Sequence, residues 1–157
     1  MYLNIKILLV IGSAIGFYSC VKNDNFEDIP VLDFEEYVVF KNNQNTVDSA
    51  SFKFSFKDGD GDLGSLDSDD FNCFLIYEEK YGDSSVNFSD IANRAYRLPN
   101  LTPNSRDKNI EGSVILILKP APIFNVFSDS AYRYTCYLID RAGNPSNNIS
   151  TDWNEKY

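Results

Sequence analysis

Histidine is absent from all 157 residues, and no other feature of the chain excludes as much chemistry. Without imidazole there is no His-activated serine or cysteine, no histidine general base and no histidine-ligated zinc. Basic side chains are scarce as well: 14 Lys and Arg stand against 23 Asp and Glu, a formal charge of −9. Such a surface repels phosphates, so nucleic acid is excluded as a partner and cations are favoured. No long segment of helical period follows Cys20, and the one extended apolar stretch, Ile7 to Phe17, is too short to span a bilayer. Aromatic residues, in contrast, make up 15% of the chain, which excludes a disordered protein.

What is present begins with an address. Lys6 precedes the apolar stretch, which ends in Tyr18-Ser19-Cys20: one early positive charge, a short greasy segment and a small residue before a cut. This reads as a signal peptide over residues 1–19. Cleavage before Cys20 resembles a bacterial lipobox, which implies a covalent lipid on the Cys20 thiol and an acylated amino terminus. Several acyl chains on one residue give stable anchoring to a membrane. An ordinary secretory leader, cut near Ser13, Ala14 or Gly16, is the alternative, as is an uncleaved membrane anchor. The leader's only charged side chain is Lys6, so its removal leaves the mature chain one unit more negative.

Residues 20–29 form the lipidated cysteine and a polar, flexible tether, and 30–157 one domain. The stretch from Val21 to Asp28 also resembles the short charged export signal of Bacteroidota lipoproteins. That resemblance implies the outer membrane, facing the cell surface; a plain solvated linker has the same composition, which leaves the periplasmic side open.

From Pro30 onward the pattern is strand after strand. Ala50, Phe52, Phe54 and Phe56 alternate with Ser51, Lys53, Ser55 and Lys57, and Tyr132, Tyr134, Cys136 and Leu138 alternate with Arg133, Thr135 and Tyr137. Val114–Leu118 is apolar on both faces and is expected to be a buried central strand. Further strands are expected over Val31–Phe40, Phe71–Tyr81, Tyr96–Leu98 and Asn147–Trp153, and one helical turn over Asp90–Ala95. About seven short strands predict an all-β protein, an antiparallel immunoglobulin-like β-sandwich, with a small barrel as the other architecture. Tyr134-x-Cys136 has the tyrosine-corner spacing of strand F, although the sole tryptophan, Trp153, follows it rather than lying on strand C.

The sharpest local motif is Asp58-Gly59-Asp60-Gly61-Asp62-Leu63-Gly64. Carboxylates at alternate positions, with glycines between, let a tight loop aim several hard oxygens at one point, as calcium requires. It is not an EF-hand: Leu63 takes the place of the sixth-position glycine and Asp69 that of the closing Glu. An acidic turn without metal has the same sequence. In a sandwich, the loop from Asp58 to Asp70 and that from Asp140 to Pro145 emerge at one end, as B–C and F–G loops, bringing Asp140 towards Asp58, Asp60 and Asp62. Carboxylates gathered there repel one another unless a cation, or Arg141, lies among them. The expected metal ligands are Asp58, Asp60, Asp62 and Asp140, with Ca2+ in a structural role.

Three segments carry a family resemblance. Phe54 to Gly64, Tyr137 to Asn147 (containing Asp140-Arg141-Ala142-Gly143-Asn144) and Tyr96 to Pro103 resemble segments of small uncharacterised Bacteroidota lipoproteins. The resemblance implies an immunoglobulin-like fold and a cell-envelope location, and no activity.

The remaining candidates are weaker. Cys73 and Cys136 fall on core faces of neighbouring strands in an oxidising compartment, which leaves a disulfide and two buried free thiols as alternatives. Tyr77, Tyr81, Tyr96, Tyr132 and Tyr137 suit sugar stacking or, equally, the core. A glycosidase pair would need carboxylates such as Glu78, Glu79 and Glu111, which have no pocket signature around them. The chain is thus expected to be a non-enzymatic, lipid-anchored envelope protein, a structural or interaction module for an unknown protein or glycan partner. The alternative is a glycan-binding accessory lipoprotein of a nutrient-uptake system.

Overall fold

The computed structural model describes residues 26–67, 70–87, 93–102, 109–120 and 131–155. The leader, Cys20, Asp69 and residues 90–92 of the expected helical turn lie outside them; Arg94 and Ala95 of that turn are strand. The described residues hold no helix and nine strands: β1 (Val31–Lys41), β2 (Val47–Asp58), β3 (Cys73–Tyr81), β4 (Ser84–Asn87), β5 (Arg94–Tyr96), β6 (Ile110–Leu118), β7 (Ala131–Leu138), β8 (Ile149–Ser150) and β9 (Asn154–Glu155).

Two antiparallel sheets form the sandwich. One has the order β1-β2-β6; the other runs β4-β3-β7-β8, with β5 also pairing β3 and β9 pairing β7. In immunoglobulin terms these are strands A-B-E against C′-C-F-G. The period of two in the sequence sets which side chains meet between the sheets. Ala50, Phe52, Phe54 and Phe56 face inward from β2, Leu75 and Tyr77 from β3, and Tyr132, Tyr134, Cys136 and Leu138 from β7, all buried. Ring contacts knit this core: Phe52 and Phe54 have centroids 6.2 Å apart, and Tyr77 stacks on Tyr132 at 5.8 Å.

Val114–Leu118 corrects its expectation. β6 is an edge strand, not a central one: Leu116 and Leu118 are buried, but Ile115 and Ile117 are 59% and 55% exposed. The outer face of its sheet carries no covering layer among the described residues, so a two-sided apolar run is buried on one side only. The tyrosine corner is also incomplete, because the buried Tyr134 hydroxyl has no hydrogen-bond partner. Burial, with Tyr37, Tyr77 and Tyr132 nearby, pushes its pKa far up, so it stays protonated.

Cys73 pairs with Leu138, and Cys136 with Leu75, so the two thiols meet diagonally between β3 and β7. Their Sγ atoms are 3.9 Å apart and both cysteines are free in this structure. The hydrogen bond to Cys73, then burial, raises the Cys136 thiol far above its usual pKa and makes it a poor nucleophile.

Register decides what shares an end. Val31 pairs with Lys57, Ile110 with Asp58 and Cys73 with Leu138. The starts of β1, β3 and β6 therefore lie beside the ends of β2 and β7. Trp153 lies at the other end, between the cations of Arg133 (4.7 Å) and Lys80 (6.0 Å). The flexible tether expected over 20–29 gives way to docked chain by Phe26. The Phe26 amide donates to Asn109 Oδ1 (3.0 Å), Lys57 sits over its ring, and Glu27 O accepts from the Gly59 amide at 2.7 Å.

Candidate metal site

Asp58 is the last residue of β2, and its side chain is fully buried. The chain then turns back over itself, and glycine makes that turn sterically feasible. A Cβ on Gly59 would sit 2.3 Å from the Phe26 carbonyl oxygen. Gly64 has φ +94°, and a Cβ there would lie 2.1 Å from the Pro99 oxygen. Leu63, where an EF-hand needs glycine, is 1% exposed and pins the loop into the core.

This folding brings one carboxylate oxygen from each of Asp58, Asp60 and Asp62 within 4.8 Å of the others. Calcium–oxygen bonds are about 2.4 Å, so ligands of one ion lie at most about 4.8 Å apart. The three fit a common cation. Within the loop, Asp58 Oδ2 accepts from the Leu63 amide (3.0 Å), Asp60 Oδ1 from the Asp62 amide (3.2 Å), and Asp62 Oδ2 from the Ala142 amide (3.0 Å). Asp58 Oδ1 and Asp62 Oδ1 are buried and accept no hydrogen bond at all. A buried, unpaired carboxylate oxygen is costly, and native folds rarely leave one without a ligand.

The electrostatics agree with the geometry. Burial first, then repulsion from Asp60, Asp62 and Asp140, pushes the Asp58 pKa up to about 6, although the Leu63 amide opposes it. Burial, Asp140 and Asp60 likewise raise Asp62, against the Ala142 amide and Arg141. These carboxylates repel one another as the structure stands, and a divalent cation is the group that would reverse the sign.

Asp140 is nearby but placed differently. Its two oxygens accept from the Asn144 backbone amide (2.7 Å) and from Asn144 Nδ2 (2.9 Å), closing its own turn. It stands outside the three-way cluster and acts on it through charge. Arg141 does not neutralise the cluster by pairing: its guanidinium donates to the carbonyls of Gly61, Leu63 and Gly64 and to Asn100 Oδ1. It is a clamp on the loop backbone.

The sequence did not single out Thr102, Asn100 or Asn147, which complete the clamp. Thr102 Oγ1 donates to the Gly61 carbonyl at 2.6 Å. Asn147 accepts from the Leu32 amide (2.7 Å) and donates to its carbonyl (2.9 Å), tying the F–G loop to β1. Their signal was the wording of three separated segments, all of which converge on this one end.

The other candidates disperse. Tyr77 and Tyr132 are buried in the core, Tyr96 donates its hydroxyl to Ile117 O, and Tyr137 stacks on Phe74 at 5.1 Å; the Tyr81 side chain lies outside the described residues. Glu78 and Glu79 are sequence neighbours on a strand and point to opposite faces, so they cannot flank one bond. Glu78 pairs with Arg133 at 2.7 Å, Glu79 accepts from the Tyr77 hydroxyl at 2.8 Å, and Glu111 belongs to the other sheet.

Beside the cluster lies an open groove of about 480 Å³, bordered by Leu66, Asp67, Asp70, Phe71, Asp140 and Arg141. Leu66 and Phe71 are 74% and 60% exposed. Comparison with known proteins returns no matching family model, no matching curated protein and no matching solved structure, so the lipoprotein resemblance rests on the quoted segments alone.

Proposed function

We propose that this chain is a non-enzymatic, lipid-anchored protein of the cell envelope, a structural or interaction module whose acidic loop end is held in shape by a calcium ion. The observation that carries the calcium reading is the pair of buried, unpartnered oxygens, Asp58 Oδ1 and Asp62 Oδ1, on two of the three clustered carboxylates. Oxygen-only donors on a short loop suit calcium, with water completing its six to eight ligands. The ion's role is structural: it replaces mutual repulsion by shared attraction and fixes the B–C loop against the F–G loop. The anchor reading rests on the leader and Cys20; the non-enzymatic reading rests on the missing histidine and the dispersed glutamates.

Two measurements test it. Radiolabelled palmitate is expected to enter the wild-type protein and not Cys20→Ala; equal labelling of both ends the anchor reading. Calorimetric titration of the metal-free protein with calcium is expected to show one site, and its absence reduces the loop to an acidic turn.

A further inference from the structure

The tether and the acidic loop leave the sandwich at the same end. Phe26 and Glu27 dock directly onto Gly59, inside the Asp58–Gly64 loop. From Cys20 to Phe26 there are six residue steps, so a fully extended chain spans about 20 Å at most. β2, with 12 residues, runs about 40 Å to the opposite end. A lipid on Cys20 therefore holds the loop end near the bilayer, while the Trp153 end reaches well beyond the tether.

The same end carries exposed apolar side chains: Leu66 (74%), Phe71 (60%), Ile29 (49%) and Leu101 (39%). Leu66 and Phe71 border the groove beside the carboxylate cluster. Exposed apolar tips at the mouth of an anchored domain mark a surface that meets lipid.

We propose that the loop end is a membrane-facing surface, with Leu66 and Phe71 entering the interface of the bilayer that holds the anchor. This rests on the lipid-anchor reading. A calcium ion held by Asp58, Asp60 and Asp62 offsets two of the negative charges at this end. The sandwich then stands with β2 rising from the membrane and the Trp153 end directed outward.

The sole tryptophan gives the test its control. Full-length lipidated protein is reconstituted in millimolar calcium into phosphatidylcholine vesicles with dibrominated acyl chains, which quench tryptophan only at the membrane. Wild-type Trp153 is expected to keep its emission, while Leu66→Trp and Phe71→Trp in a Trp153→Phe background lose most of theirs. Should that background fail to fold, a nitroxide on Leu66→Cys gives the same depth reading, since Cys73 and Cys136 are buried and unlabelled. Quenching of Trp153, or of Ile117→Trp on the outer face of β6, overturns the orientation, the latter because the domain then lies on its side. Full emission from Leu66→Trp in protein that floats with the vesicles overturns it as well. Protein that fails to float and takes up no palmitate shows instead that the anchor reading failed, and the orientation falls with it.

Discussion

Among the described residues two carboxylates are completely buried, one towards each end of the sandwich, and their surroundings could hardly differ more. Glu79, towards the Trp153 end of β3, accepts a hydrogen bond from the Tyr77 hydroxyl at 2.8 Å, within a group of tyrosines packed between the sheets. Asp58, at the loop end of β2, accepts one amide and faces Asp60, Asp62 and Asp140 with its second oxygen unpaired. Equal burial therefore means opposite things. Glu79 is an acid the fold has satisfied from within, whereas Asp58 is one the chain leaves half satisfied.

The largest expected effect separates these two sites directly. Replacing Glu79 with Ala removes an acceptor of the Tyr77 hydroxyl and opens a cavity, and is expected to cost about 3 kcal/mol in urea unfolding whether or not calcium is present. Asp58→Asn is expected to do the reverse in chelator: it keeps the acceptor for the Leu63 amide, removes a repelled charge and leaves stability equal or higher. A large loss in metal-free Asp58→Asn would erase the contrast.

Calcium comes next. An ion that binds the folded state alone stabilises by mass action, about 2.7 kcal/mol at a hundredfold excess over its dissociation constant. For a domain of this size that is a melting shift of roughly 5–10 °C. The double variant Asp60→Asn/Asp62→Asn is expected to lose the shift while folding normally in chelator, and Glu79→Ala to retain it.

Acidity gives a smaller effect with a defined sign. The Asp58 pKa is raised to about 6 in the fold from a usual value of 3.8. Its protonation therefore favours the folded state: the gain is fully present below the unfolded value and is lost as pH rises through about 6. In chelator, wild type is expected to gain on the order of 2 kcal/mol relative to Asp58→Asn between pH 7 and pH 4. If calcium binds at Asp58, its affinity is expected to fall over the same range, because the proton and the ion compete for the carboxylate.

Arg141→Lys is the smallest. Lysine keeps the charge but cannot reach the carbonyls of Gly61, Leu63 and Gly64 and Asn100 Oδ1 together with a single planar fork. Because the residue is exposed, thermal melting is expected to register a loss of about 0.5–1 kcal/mol. An unchanged melt would mean that the loop holds its shape without the clamp.

The period of two in Ala50–Phe56 and Tyr132–Leu138 was enough to set the strands, their inward faces and the two-sheet class, since side chains alternate on any strand. The B–C and F–G loops followed from strand order alone, and so did their shared end. Asp58, Asp60 and Asp62 were legible because glycine spacing is a local property. The exposure of Ile115 and Ile117 was not, because an apolar run does not reveal whether a second layer covers it. Nor was the difference between Asp58 and Asp140: both are acids in turns, and only the path of the chain gives Asp140 the Asn144 amides and leaves Asp58 Oδ1 with nothing. Hydrogen-bond satisfaction is set by neighbours distant in sequence, as is the docking of Phe26 and Glu27 on Gly59 that fixes where the tether leaves. Local chemistry was written in the chain; which acid lacks a partner was decided only when the loops met.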